Sequence, residues 1–170
     1  MDVEDLIRRS LNLYNLALDV LEAKDYVNAC EKAWACIETL RKAILIKSKI
    51  SPQKAKTVVY GIPLFTRLLK KLRKKDLLEK YTYFNYKLHI MGFYEGITEL
   101  WEIEEIIQID LKNWIEQMIS LIRELSIDLS PAEEILSEIE KVKRRLIIEN
   151  AKLVQLREKL GSVIDRAVAL

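Results

Sequence analysis

A chain of 170 residues, 50% of them hydrophobic and 32% charged, with a formal net charge of +2, suits one domain that folds without metal or disulfide help. Four glycines and three prolines are too few for a protein of strands and turns, so the class reads as all-α. No run of eighteen apolar residues is present to span a membrane, MDVEDLIRRS has no apolar signal core, and no Gly-rich phosphate loop or nucleophile elbow occurs.

The first predicted helix runs from Val3 to Ala23, with Ile7, Leu11, Tyr14, Leu18 and Leu21 as its apolar row. A short link, Glu22 to Asp25, makes the next helix its antiparallel neighbour, with Asp25 as N-cap. That second helix, to Ile46, carries Tyr26, Cys30, Ala33, Ile37, Leu40 and Ile44 at spacings of four and three. Val27, Ala29, Trp34, Cys36 and Ala43 widen the stripe on both flanks, which places this helix in the middle of a bundle. Cys30 and Cys36 lie roughly 9 Å apart by helical rise, too far to be bridged to each other. They read as free buried thiols in a reducing, cytoplasmic setting. Two cysteines and the single His89 are too few for a metal site, and no cofactor is implied.

Ser48 to Ile62, with Ser51-Pro52 and Gly61-Ile62-Pro63, reads as a basic loop, and Pro63 as the first residue of a helix reaching Lys75. That helix buries Phe65, Leu68, Leu69 and Leu72 and presents Arg67, Lys70, Lys71, Arg73, Lys74 and Lys75. The cationic face belongs to a wider asymmetry. Thirteen Lys/Arg stand against two acids between Arg41 and Lys80, and thirteen acids against two bases between Glu95 and Glu140. Solvated faces that attract one another account for this pattern as well as a footprint for nucleic-acid phosphates does.

In the helix that follows, Leu77, Tyr81, Phe84, Leu88 and Met91 form one apolar row, and Tyr83, Tyr86, Ile90 and Tyr94 lie on the other side. Thr82, Asn85 and His89 make a polar line between them. A lone histidine in such a setting is more often a hydrogen-bonded structural residue than a catalyst. The runs DYVNACEKAW, Asp25 to Trp34, and YKLHIMGFYEG, Tyr86 to Gly96, resemble the archaeal PaREP family of repeat-element proteins, grouped with the HEPN superfamily. The resemblance covers about residues 1 to 125. It implies a small helical bundle, commonly a homodimer, and in many HEPN proteins a metal-independent ribonuclease whose signature pairs an arginine with a histidine four to six residues later. Here Asn85 and His89 match the signature, but the arginine position is Phe84, which cannot stabilise charge on a phosphate. Lys87 supplies charge without the two-pronged fit of a guanidinium.

A long helix is predicted from Thr98 to Ser126, with Leu100, Ile107, Leu111, Trp114, Met118, Leu121 and Leu125 in a row that Glu104 breaks. Ser130-Pro131 starts the last helix, with Glu133 placed to complete a capping box. Ile135 to Ala167 keep heptad phase, interrupted by Glu149, over roughly 55 Å if the helix is unbroken. The expectation is a HEPN-like up-and-down bundle of five to six helices over 1–128, and a long helix over 130–170 that packs on the bundle or on a second subunit. Three functions follow. The first is binding of RNA or nucleotide through Arg67, Lys70, Lys71, Lys74, Lys75 and the face of Asn85, Tyr86, Lys87, His89 and Tyr94, where aromatic rings stack on bases. The second is an antitoxin-like or scaffolding module that binds a protein partner. The third is an unconventional ribonuclease using His89 and Asn85.

Overall fold

A computed structural model of the chain describes residues 2–96, 99–144 and 150–169. Among these, every regular element is a helix. Asp2 and Asp5 exchange backbone-to-carboxylate hydrogen bonds in a capping box that starts α1 (Val3–Glu22), whose buried face carries Leu6, Ile7, Tyr14, Ala17 and Leu21. Asp25 caps α2 (Tyr26–Lys47) as expected, its carboxylate accepting from the Asn28 amide at 3.3 Å. The Ser10 hydroxyl lies 3.1 Å from the Cys36 carbonyl oxygen, two positions at nearly equal distance from the link, so α1 and α2 run antiparallel. α2 touches α1 and most of the later helices and is the centre of the bundle. Both cysteines are buried and unpaired, and burial pushes each thiol up to about 12.

The expected loop after Lys47 is instead helical. α3 (Pro52–Lys56) starts on Pro52, and α4 (Val58–Lys71) follows after the extended Thr57, with Pro63 inside it rather than at its first position. Gly61 has a packing reason here: a Cβ would lie 2.2 Å from an Arg41 guanidinium nitrogen. α5 (Lys75–Phe84) runs on into a π-helical stretch, Asn85–Glu95, that ends at Gly96 in the left-handed conformation. The wider winding moves the buried line from the expected Met91 to Gly92, which is pressed against Cys30.

The helix expected from Thr98 is likewise interrupted. α6 (Leu100–Glu105), a π-helical stretch Ile106–Leu111 and α7 (Lys112–Glu124) follow one another, and Ile97 and Thr98 lie outside the described residues. The extra residue per turn falls just after Glu104, which breaks the apolar row and meets Lys24 and Tyr26 instead of the core. Leu100 and Trp101, expected inside, are 53% and 64% exposed, and Val27 of α2 is 44% exposed.

The tail is not one rod. α8 (Pro131–Arg144) and α9 (Asn150–Val168) lie side by side, and α9 packs on α4 of the same chain through a fully buried Ile164. Leu146 and Glu149 of the expected heptad row lie outside the described residues. Glu133 accepts a hydrogen bond from the Ser51 amide across the bundle, and the Ser130 amide and hydroxyl donate to Asp128. The expected capping box is therefore replaced by a long-range contact. Lys49 with Asp128 at 2.7 Å and Lys80 with Asp110 at 2.8 Å pair the basic and acidic blocks inside one chain.

Candidate nucleic-acid interface

His89 is half-buried on the π-helical stretch, its ring stacked on Trp34 of α2 with centroids 4.9 Å apart. Tyr94 meets it edge-on at 4.9 Å, and Phe93 lies nearly parallel at 6.4 Å. Its Nδ1 is buried without a hydrogen-bond partner among the described residues. Burial lowers its proton affinity below the ordinary imidazole value, against an opposing pull from the Glu38 carboxylate. The aromatic surroundings therefore disfavour the charged ring.

Beneath it runs a polar line that sequence reasoning missed. Glu38 accepts two hydrogen bonds from Arg41, from Nε and Nη2, both at 2.8 Å, and a third from the Tyr81 hydroxyl at 3.0 Å. The remaining Arg41 nitrogen donates to the Ala55 carbonyl at 2.9 Å, and the arginine is completely buried. Burial, with the Glu38 charge, raises the pKa of Tyr81. The signal was present as Trp34, Glu38 and Arg41 at spacings of four and three, a charged line inside an apolar helix. Each nitrogen of this fully buried guanidinium donates within the fold, so it offers no cation to His89.

The other cations near the signature are equally committed. Phe84 is completely buried and meets Trp114 edge-on at 6.0 Å. Lys87 pairs with Glu102 at 2.7 Å, which raises its pKa. Asn85 is half-buried, whereas Tyr86 and Tyr94 are 51% and 70% exposed.

The basic block divides in two. Lys71 pairs with Asp165 of α9 at 3.0 Å, and the Arg67 guanidinium lies against Gly161 of the same helix. Lys70, Arg73 and Lys75 instead line a surface cavity of about 720 Å³ with Leu78, Glu79 and Thr82, the first residue of the polar line. Lys74 is exposed at the start of α5. Arg73, in the left-handed region at φ 58°, makes the tight turn that folds α4 against α5 and gathers these charges. Three bases against Glu79, itself 3.2 Å from Lys75, leave a net positive mouth. Among the described residues no three of His, Cys, Asp and Glu cluster as metal ligands.

A model of the archaeal PaREP1/PaREP8 family matches residues 5–111, more than half of the chain. The chain belongs to this family. No curated protein and no solved structure matches it. The PaREP1/PaREP8 match takes in Trp34, Glu38, Arg41, the basic block and His89, and stops at Leu111, the end of the second π-helical stretch. α7 to α9, with Gly161 and Asp165, fall beyond the PaREP1/PaREP8 match. Among the described residues, no helix is long and apolar enough to cross a membrane.

Proposed function

We propose that this PaREP1/PaREP8 protein is a HEPN-like, cytoplasmic binder of RNA or nucleotides that does not cut them. The observation that carries the reading is the cavity between α4 and α5, where Lys70, Arg73 and Lys75 converge without an equal number of carboxylates and Thr82 opens the row toward Asn85. Phosphates would sit on the cations, and the exposed rings of Tyr86 and Tyr94 would take bases. Against catalysis stand the burial of Phe84 at the arginine position and the pairing of Arg41 with Glu38 and of Lys87 with Glu102. A 2′-hydroxyl attack on phosphate leaves charge that these groups cannot reach. Residues 1–128 are read as the binding bundle and 130–170 as its tail.

The test is the salt dependence of RNA binding. Replacing Lys70, Arg73 and Lys75 with glutamine should weaken binding and flatten the slope of affinity against salt, by about 0.7 per lost contact on a single strand. His89→Ala should leave the slope unchanged, and RNA should stay intact with chelator present. Chelator-resistant cleavage that disappears in His89→Ala would overturn the reading in favour of a ribonuclease; absence of binding at low salt would remove it altogether.

A second reading has its own observation. Tyr86, Ile90, Tyr94, Leu100 and Trp101 expose apolar side chains from neighbouring helices, and Val27 and Leu100 share one groove beside Gly92 and Gly96. This face suits a second copy of the chain or a protein partner. Light scattering separates the two: Tyr94→Lys with Trp101→Lys should turn a dimer into a monomer, and a wild-type monomer at tens of micromolar leaves the hetero-partner.

A further inference from the structure

A different cavity, of about 340 Å³, lies between α1, α2 and α3. Arg9, Lys42 and Lys56 line it, one from each helix, and among the described residues no acidic side chain does. Three cations facing one cavity repel one another, and an anion that joins them relieves that repulsion. Four carboxylates, three of them on α1 and α2, have partners elsewhere. Asp5 pairs with Arg8 at 2.6 Å, Glu4 with Arg123 at 3.5 Å, and Glu38 with Arg41, while Glu133 accepts from the Ser51 amide. Burial lowers the pKa of Lys42, and the charges of Arg41, Arg9 and Lys56 add to that effect against the opposing Glu38. The repulsion among the three is thus felt within the fold.

The rest of the lining narrows the ligand. Leu6 and Ile46 give an apolar wall, so the pocket fits more than a bare ion. The Thr39 hydroxyl donates to the Ala35 carbonyl at 2.7 Å, which leaves it an acceptor toward the cavity, suited to a sugar hydroxyl. A volume of about 340 Å³ is at the small end for ligand sites, the size of a single phosphorylated sugar with or without a base. We propose that this cavity binds a phosphorylated sugar of up to mononucleotide size, its phosphate held by Arg9, Lys42 and Lys56 and its hydroxyl by Thr39. The site uses none of the residues of the α4–α5 cavity and stands or falls independently of RNA binding there.

Calorimetry at low salt with adenosine 5′-monophosphate, ribose 5-phosphate and adenosine tests it. Both phosphates should bind and adenosine should not; equal affinity assigns the site to sugar phosphates and tighter binding of the monophosphate assigns it to nucleotides. Lys42→Met and Lys56→Gln should each weaken phosphate binding about tenfold or more. Lys70→Gln with Lys75→Gln should leave it unchanged. Arg9 and Lys56 are exposed, so Arg9→Gln and Lys56→Gln carry the test if Lys42→Met does not fold. No binding of either phosphate at millimolar concentration, binding of adenosine as tight as that of the monophosphate, or full affinity in the Arg9 and Lys56 variants overturns the proposal.

Discussion

His89 is the single imidazole of the chain, so its titration can be followed without assignment. Its folded pKa lies below the ordinary 6.5 because burial against Trp34 disfavours the charged form. The unfolded chain therefore binds the proton more readily. Its contribution favours the folded state above pH 6.5 and is lost as pH falls through the lower folded value. Proton NMR should give a midpoint under 6.5, and Trp34→Ala should move it up toward that value; a midpoint at or above 6.5 in the wild type would mean an open, solvated ring. Phe84 makes the second case. Restoring the signature arginine there places an unpaired charge in the core beside Trp114, at a cost of at least about 4 kcal/mol. Denaturant melts of Phe84→Arg should show loss of the fold, and a stable variant that cuts RNA would show that this position can turn outward.

At the level of elements, the close approach of α2 to the π-helical stretch rests on Gly92. A Cβ there would lie 2.5 Å from the Cys30 sulfur, so Gly92→Ala should destabilise by about 1–3 kcal/mol. Cys30→Ala removes the obstructing atom, and the double variant should recover most of the loss in a thermal melt; additive losses would place the clash elsewhere. The same contact shows what the sequence could disclose. Asp25 and the four-three row of α2 announced a capped, central helix because capping and helical period are local properties. The π-helical turns did not announce themselves, since a changed period looks like an imperfect row, as at Glu104. Pro52 and Gly61-Ile62-Pro63 mark a loop in the local pattern, yet they lie in α3 and α4, and Gly61 answers to the close approach of the Arg41 guanidinium, a long-range demand invisible in that pattern. Half of the site was legible in the same sense: Asn85, His89 and the lysines stood out by type, while the Trp34 stack and the Glu38–Arg41–Tyr81 line depend on two helices meeting.

For the molecule as a whole, the tail decides how much of the basic block faces solvent. α9 holds Lys71 through Asp165 and lies against the guanidinium of the exposed Arg67 at Gly161, and its apolar row is met by α4 of its own chain. A chain ending at Ser130 should keep α1 to α7, bind RNA more tightly than the full chain, and show a steeper salt slope as Arg67 and Lys71 join the footprint. Filter binding across a salt series measures this, with circular dichroism to confirm helix content; unchanged affinity in a folded, truncated protein would show that α9 shields nothing. The seam at the other end of the tail has a consequence for biosynthesis. Leu129 donates its amide to the Ser48 carbonyl at 2.8 Å, and the ion pair Lys49–Asp128 and the Ser51–Glu133 bond join positions 79 and 82 residues apart. While the chain is being made, the C-terminal end of α2 leaves the ribosome well before the segment that closes it. For several seconds, at ordinary elongation rates of about 5–20 residues per second, the central helix waits with one end uncovered. The nascent bundle is thus exposed to solvent and to neighbouring chains at one end of its central helix until Asp128 to Glu133 have emerged.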